Sequence, residues 1–265
     1  MSDLLLTFIR VRAGMMQRIK KQRYTVPDVF RGVAVLTMIV YHTMWDIVYL
    51  FGVSIPWFKT DAGFVFQQSI CWSFILISGF CQQLGRKRLK RSIIILSCSV
   101  VLTVVTAVFM PDSIIIHGVL SLIGASMLIT IPLDGILKKI PPLVGIVISF
   151  LVFLLLYNVP YGSIGTGEYK LLKLPDFLYA NVVTAFFGFP HKDFFSADYV
   201  PLIPWFFLFL TGYFIYSLIE KKGRMNVLSA FSCRPLEFIG RHSLGIYMLH
   251  QPLIYAVLML IFKLI

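Results

Sequence analysis

The chain has 265 residues, is 58% hydrophobic and has a mean hydropathy of +0.85. A water-soluble domain of this size cannot bury that much apolar surface, so the composition excludes one and points to a polytopic membrane protein. The formal net charge of +12 does not indicate a nucleic-acid binder, because the basic residues sit in short clusters between apolar runs, as membrane topology produces.

Residues 1–24 interleave Leu4, Leu5, Leu6 and Phe8 with Arg10, Arg12, Arg18, Lys20 and Lys21. This pattern predicts a basic amphipathic segment lying on an anionic leaflet. No small-residue cleavage site follows the short apolar part, so it does not read as a signal peptide. Residues 25–265 then read as a single all-α domain, a polytopic membrane helix bundle of about seven spans. The spans are expected over 29–50, 62–84, 92–110, 114–133, 142–157, 201–219 and 243–264. Between the last two of the middle spans, 158–200 is polar and aromatic. Its apolar piece Pro175 to Phe189 is short for a crossing and is expected to be a re-entrant or interfacial helix.

Seven crossings gather the basic N-terminus and the basic loops at 86–91, 138–139 and 221–241 on one side. The other side keeps Lys59, Lys170, Lys173 and Lys192, with Lys263 at the far end of the last span. The positive-inside bias makes the crowded side cytoplasmic, with the N-terminus inside and the C-terminus outside. Cys71, Cys81, Cys98 and Cys233 form no CxxC and no ligand-like spacing, so neither a disulfide nor a metal is expected.

Three stretches put chemistry-bearing residues into this apolar setting. In the first span, His42 follows Arg31 by eleven residues, about three turns, and Asp46 follows His42 by four. All three therefore lie roughly along one helix face, with His42 about 16 Å deeper than Arg31. Ionisable groups inside a bilayer are costly and mark function by default. A carboxylate one turn from an imidazole can orient it and stabilise its charged form, as a general base requires. The alternative is a histidine that only hydrogen-bonds a neighbouring helix.

The second stretch is Gly240 to Pro252. Arg241, His242 and Ser243 stand at the cytoplasmic mouth of the last span, where Arg241 suits a phosphate and Ser243 is placed to cap the helix. Tyr247, His250 and Gln251 lie inside the apolar run, next to a helix break at Pro252. That break is equally compatible with a packed kink. The third stretch, Ser196 to Trp205, places Asp198, Tyr199 and Trp205 at the outer entrance of the sixth span. These suit a sugar, although Trp and Tyr are also routine interface anchors. His117 and Ser121 add polar groups to the start of the fourth span.

These stretches resemble one known family. Arg31-Gly32 through His42 to Asp46 looks like the opening motif of the heparan-alpha-glucosaminide N-acetyltransferase catalytic-domain family in its short bacterial form. Ser196 to Trp205 is similar to its Ser-Ala-Asp-Tyr-Phe-Pro-Leu-Leu-Pro-Trp, and Gly240 to Pro252 to its Gly-Arg-His-Ser-Leu-x-Ile-Tyr-Leu-x-His-Gln-Pro. Arg31 and His42 also match the Arg-x10-His motif of the wider acyltransferase-3-like class. The resemblance runs from about residue 24 to the C-terminus. One departure is that relatives often carry His where this chain has Ser121, while here a His stands four residues earlier, at 117.

The resemblance implies a transmembrane acyltransferase in a bacterial plasma membrane. Its co-substrate is acetyl-CoA or another acyl-CoA from the cytoplasm, and its acceptor is a glycan or amino sugar on the outer side. By the same resemblance, His42 is the base or a transient acyl carrier, Arg31 holds the CoA end, Arg241 stands at the cytoplasmic mouth, and Asp198, Tyr199 and Trp205 meet the acceptor. Placement along the spans adds Asp46 to His42 as a catalytic pair, His242, Ser243, His250 and Gln251 to the donor side, and His117 to the acceptor side. No metal is implied, and a homodimer remains open. The competing reading from another class is a carrier or flippase that uses the buried Arg, His and Asp as a substrate or proton path. The absence of an apparent inverted repeat weighs mildly against it.

Overall fold

The computed structural model describes residues 24–264, with side chains described as far as Phe262. The amphipathic segment expected over 1–24 therefore lies outside the described residues, apart from Tyr24. Among the described residues, seven helical segments are long and apolar enough to cross a membrane: α1 (Thr25–Tyr49), α2 (Asp61–Gln82), α3 (Arg88–Phe109), α4 (Val119–Leu137), α5 (Pro142–Leu155, whose span continues through turns to Tyr161), α7 (Leu202–Lys221) and α9 (Ser243–Leu264). The chain is thus the all-α polytopic bundle that its composition predicts.

Helix α7 is the axis of the bundle. Of its most apolar window 61% is buried, against 11% for α9 at the edge. Leu208 and Phe209 of α7 pack with Ile75, Leu122 and Phe153 into the main core. Lipid tails give helices no hydrophobic reason to associate, so close packing must supply the attraction. The sequence provides it through paired glycines. A Cβ on Gly79 of α2 would overlap the Phe209 carbonyl, and one on Gly212 of α7 would overlap the Leu76 carbonyl, so the two backbones cross in contact.

Buried polar side chains are matched across helices, since hydrocarbon offers them nothing. Gln82 donates to Thr130 Oγ1 at 3.0 Å, Ser92 to the Gly124 carbonyl at 2.7 Å, and Ser149 meets Thr211 at 2.9 Å. At the basic end of the bundle, Asp134 receives Arg88 at 2.9 Å, Lys138 at 2.6 Å and the Tyr213 hydroxyl at 2.8 Å. One carboxylate thereby ties α3 and α7 to α4.

Three expected boundaries are revised. The fourth span begins at Val119 instead of 114, which puts His117 ahead of the helix and not inside it. Residues 114–119 are drawn instead into hydrogen bonds with 196–200: Ala197 N–H to the Ile114 carbonyl, and Val200 N–H to the His117 carbonyl. The segment 158–200 contains an antiparallel hairpin, β1 (Ser163–Thr166) with β2 (Tyr169–Lys173). Its apolar piece forms only a turn at Asp176–Leu178 and α6 (Val182–Phe187), started by an Asn181–Thr184 capping box. Six residues reach about 9 Å, too little for a re-entrant excursion. Finally, the basic loop at 221–241 contains a helix, α8 (Arg234–Arg241). It lies on α1 at a second glycine crossing, where Gly32 meets the Leu236 carbonyl and Gly240 the Asp28 carbonyl.

Gly79→Leu or Gly212→Leu should force α2 and α7 apart, and overpacking of this kind costs about 1–3 kcal/mol. The midpoint of thermal unfolding in detergent should fall accordingly. Gly135→Ala, at a position with open space around it, should leave it unchanged.

Candidate active site

The site lies between α1 and α9, which run side by side. Both helices carry two polar residues at the same level. The His42 and His250 rings face each other with centroids 4.9 Å apart and planes tilted by 60°. One turn further along α1, Asp46 Oδ1 accepts from Gln251 Nε2 at 2.7 Å. Asp46 is fully buried and His250 is 8% exposed. Three buried polar atoms at this level have no hydrogen-bond partner among the described residues: Asp46 Oδ2, Gln251 Oε1 and His250 Nε2.

Tyr247, one turn before Gln251 on α9, connects this space to the segment ahead of α7. Its hydroxyl donates to Asp198 Oδ2 at 3.4 Å, and the same oxygen receives the Val119 N–H at 3.4 Å. Burial pushes the Asp198 carboxyl above its ordinary range, and these two donors offset only part of that shift.

The structure brings together His42, Asp46, His250 and Gln251, with Asp198 reached through Tyr247. It separates others. Trp205 is buried in the main core against Phe153 at 5.3 Å and Tyr157 at 6.1 Å. Tyr199 uses its hydroxyl on the Ala185 carbonyl at 2.6 Å and packs on Phe194. His117, held in the left-handed region at φ 55°, bonds the Val182 carbonyl at 3.2 Å, and burial lowers its pKa from the usual value. Tyr199 and His117 hold the loops at the end opposite the basic one.

At the basic end, Arg31 reaches three elements. It donates to Asp28 Oδ1 at 3.2 Å, to the Gly240 carbonyl at 3.4 Å and to Cys81 Sγ at 3.0 Å. Among the described residues, Arg241 bonds only Glu237 on its own helix, through the backbone at 3.1 Å and the carboxylate at 3.4 Å. The His242 ring packs at a tilt of 42° against Phe238 and meets its carbonyl at 2.8 Å. Ser243 is the first residue of α9, so His242 and not Ser243 occupies the position before the helix.

Sequence reasoning missed Tyr247 as a link to Asp198, the pairing of the two histidines, and the Cys81 contact with Arg31. The first two had a signal, since Tyr247 and His250 are polar residues three apart on one helix. The last had none, because residues 31 and 81 lie on different helices.

A bundle of seven spans with two facing imidazoles and a carboxylate enclosed between two of them is the framework of an integral-membrane enzyme. Residues 23–252 match the family described as heparan-alpha-glucosaminide N-acetyltransferase, catalytic. The chain belongs to that family and is a transmembrane acetyltransferase. No curated protein and no solved structure matches it.

Arg31→Ala should destabilise the fold by on the order of 3 kcal/mol, because it leaves the buried Asp28 carboxylate without this partner and unties α8 from α1. Arg241→Ala should not, since its contacts stay within one helix. Thermal unfolding of both variants in detergent provides the comparison.

Proposed function

We propose that the protein transfers an acetyl group from cytoplasmic acetyl-CoA to the amine of an amino sugar presented on the outer side of a bacterial plasma membrane. Residues 25–265 act as one domain, with the basic end facing the cytoplasm and the N-terminus on that side. The arginines and lysines of the basic end suit the phosphates of CoA. From there the acyl end extends toward His42, about 16 Å beyond Arg31 along α1. His42 meets the acetyl group, and Asp46 and Gln251 lie toward the acceptor.

One observation carries the reading: buried acceptor atoms without donors stand next to His42. Leaving such atoms unmatched costs about 1–3 kcal/mol each, so the site suits a ligand that brings several N–H groups. An amine or ammonium brings two or three, whereas a hydroxyl brings one. This favours N-acetylation over O-acetylation.

The test is acetyl-CoA binding and CoA release by the purified protein in nanodiscs, beside His42→Ala. The wild-type protein should acetylate a glucosaminide and discriminate against the matching glucoside by on the order of 10–10², because the hydroxyl brings one donor fewer and leaves a buried acceptor unpaired. His42→Ala should insert and fold but lose turnover. An intact protein with no affinity for acetyl-CoA, or one that moves a sugar without acetylating it, would refute the proposal and favour a carrier.

A further inference from the structure

The two histidines of the site are not equivalent. His250 Nδ1 lies 2.6 Å from the Tyr247 carbonyl oxygen. A carbonyl oxygen only accepts, so Nδ1 carries the proton and neutral His250 keeps its lone pair on Nε2. That Nε2 is buried and has no partner among the described residues. His42, by contrast, has no hydrogen bond among the described residues, and only ring contacts with Tyr41 and His250 hold it.

The turn of α9 that carries His250 is pinned on both sides. Tyr247 is held by Asp198 at 3.4 Å, and Gln251 by Asp46 at 2.7 Å. The fold therefore fixes both the tautomer and the direction of one imidazole, and leaves its basic nitrogen buried without a partner among the described residues, on the same turn of α9 as the unmatched Gln251 Oε1. Those are the requirements of a general base: a lone pair of defined direction, within reach of a donor that the protein itself does not supply.

Resting on the acetyltransferase reading, we infer that His250 is the general base of the transfer. As the acceptor's neutral amine attacks the acetyl carbonyl carbon, Nε2 takes a proton from the amine nitrogen. The new C–N bond forms and the thioester C–S bond breaks. The electron pair of that bond leaves on sulfur, and the proton on Nε2 passes to the thiolate. His250 returns to the neutral form, and CoA leaves as the thiol. Tyr247 and Gln251 are positioning residues, acting through the carbonyl that fixes Nδ1 and through the contact with Asp46.

His250→Asn separates the two nitrogens. The amide nitrogen of Asn stands near the Nδ1 position and can still donate to the Tyr247 carbonyl, while nothing replaces Nε2. In nanodiscs, this variant should bind acetyl-CoA within about threefold of wild type and lose about 10²–10⁴ in kcat, the usual worth of a positioned base. The pH profile supplies a readout that a packing role would not move. The other titratable groups around His250 are His42, Asp46 and Tyr41 on α1, Cys71 on α2, Tyr247 on α9, and Asp198. All six remain in the variant, and the acceptor amine's own ionisation affects kcat/KM of both proteins alike, so an acid-side ionisation present in the wild-type kcat profile at saturating acceptor and missing from the variant's is assigned to His250. His250→Asn turning over within about threefold of wild type would overturn the inference, as would a lower rate with an unchanged pH profile or a proportional loss of acetyl-CoA binding. No acetyl transfer by the wild-type protein overturns the acetyltransferase proposal and this inference together. Transfer by the wild type with an indifferent variant overturns this inference alone.

Discussion

Hydrocarbon supplies no hydrogen bonds, so each polar atom carried into it must be matched within the chain or left at a cost. Most of this bundle is built to that constraint. Gln82, Ser92, Ser149 and Thr211 find partners on other helices, and Asp134 collects three donors. The glycine crossings serve the same end. When backbones touch at Gly79 and Gly212, dispersion replaces the hydrophobic drive that lipid removes. Gln82 Oε1 and Ser126 Oγ are single exceptions inside the bundle, whereas on α1 and α9 three unmatched atoms gather at one level, which suits another molecule's donors.

The placement of that gap explains why α9 is at the edge of the bundle. A central helix such as α7 is enclosed on all sides, and a site beside it would have no route for a large substrate. Helix α9 packs mainly on α1 and turns Leu249, Leu253, Val257 and Leu260 outward. The polar residues His250 and Gln251 therefore face a single neighbour, α1, and the pair of helices carries the site on the flank of a rigid core. Helix α8 holds the two together at the basic end. Its glycine crossing with α1 sets where α9 starts, and so which turn of α9 meets His42.

Much of this was legible in the sequence. Hydropathy placed all seven spans, because a run of about 20 apolar residues has few other uses. Arg31, His42 and Asp46 were identified on α1 because helical spacing is a local property. What was not legible was long-range. The Gly240 to Pro252 stretch read as one group at a helix mouth. In the fold, its first residues stay at the basic end while His250 and Gln251 join His42 and Asp46 two turns deeper. Trp205 and Tyr199 had the composition of a sugar platform, yet core packing and a loop carbonyl take them up. Residue type carries no information about which of these partners it will find.

The same distinction bears on the two histidines. From the sequence, His42 was the stronger candidate, because it has a carboxylate one turn away on its own helix. In the structure that carboxylate is bonded to Gln251, and the imidazole with a fixed tautomer is His250. A backbone carbonyl three residues earlier fixes it, a contact any helix can provide wherever a histidine adopts the right rotamer. Such a contact leaves no trace in a motif. It does, however, decide which ring nitrogen of His250 carries the proton, and so which nitrogen of that ring is left to accept one.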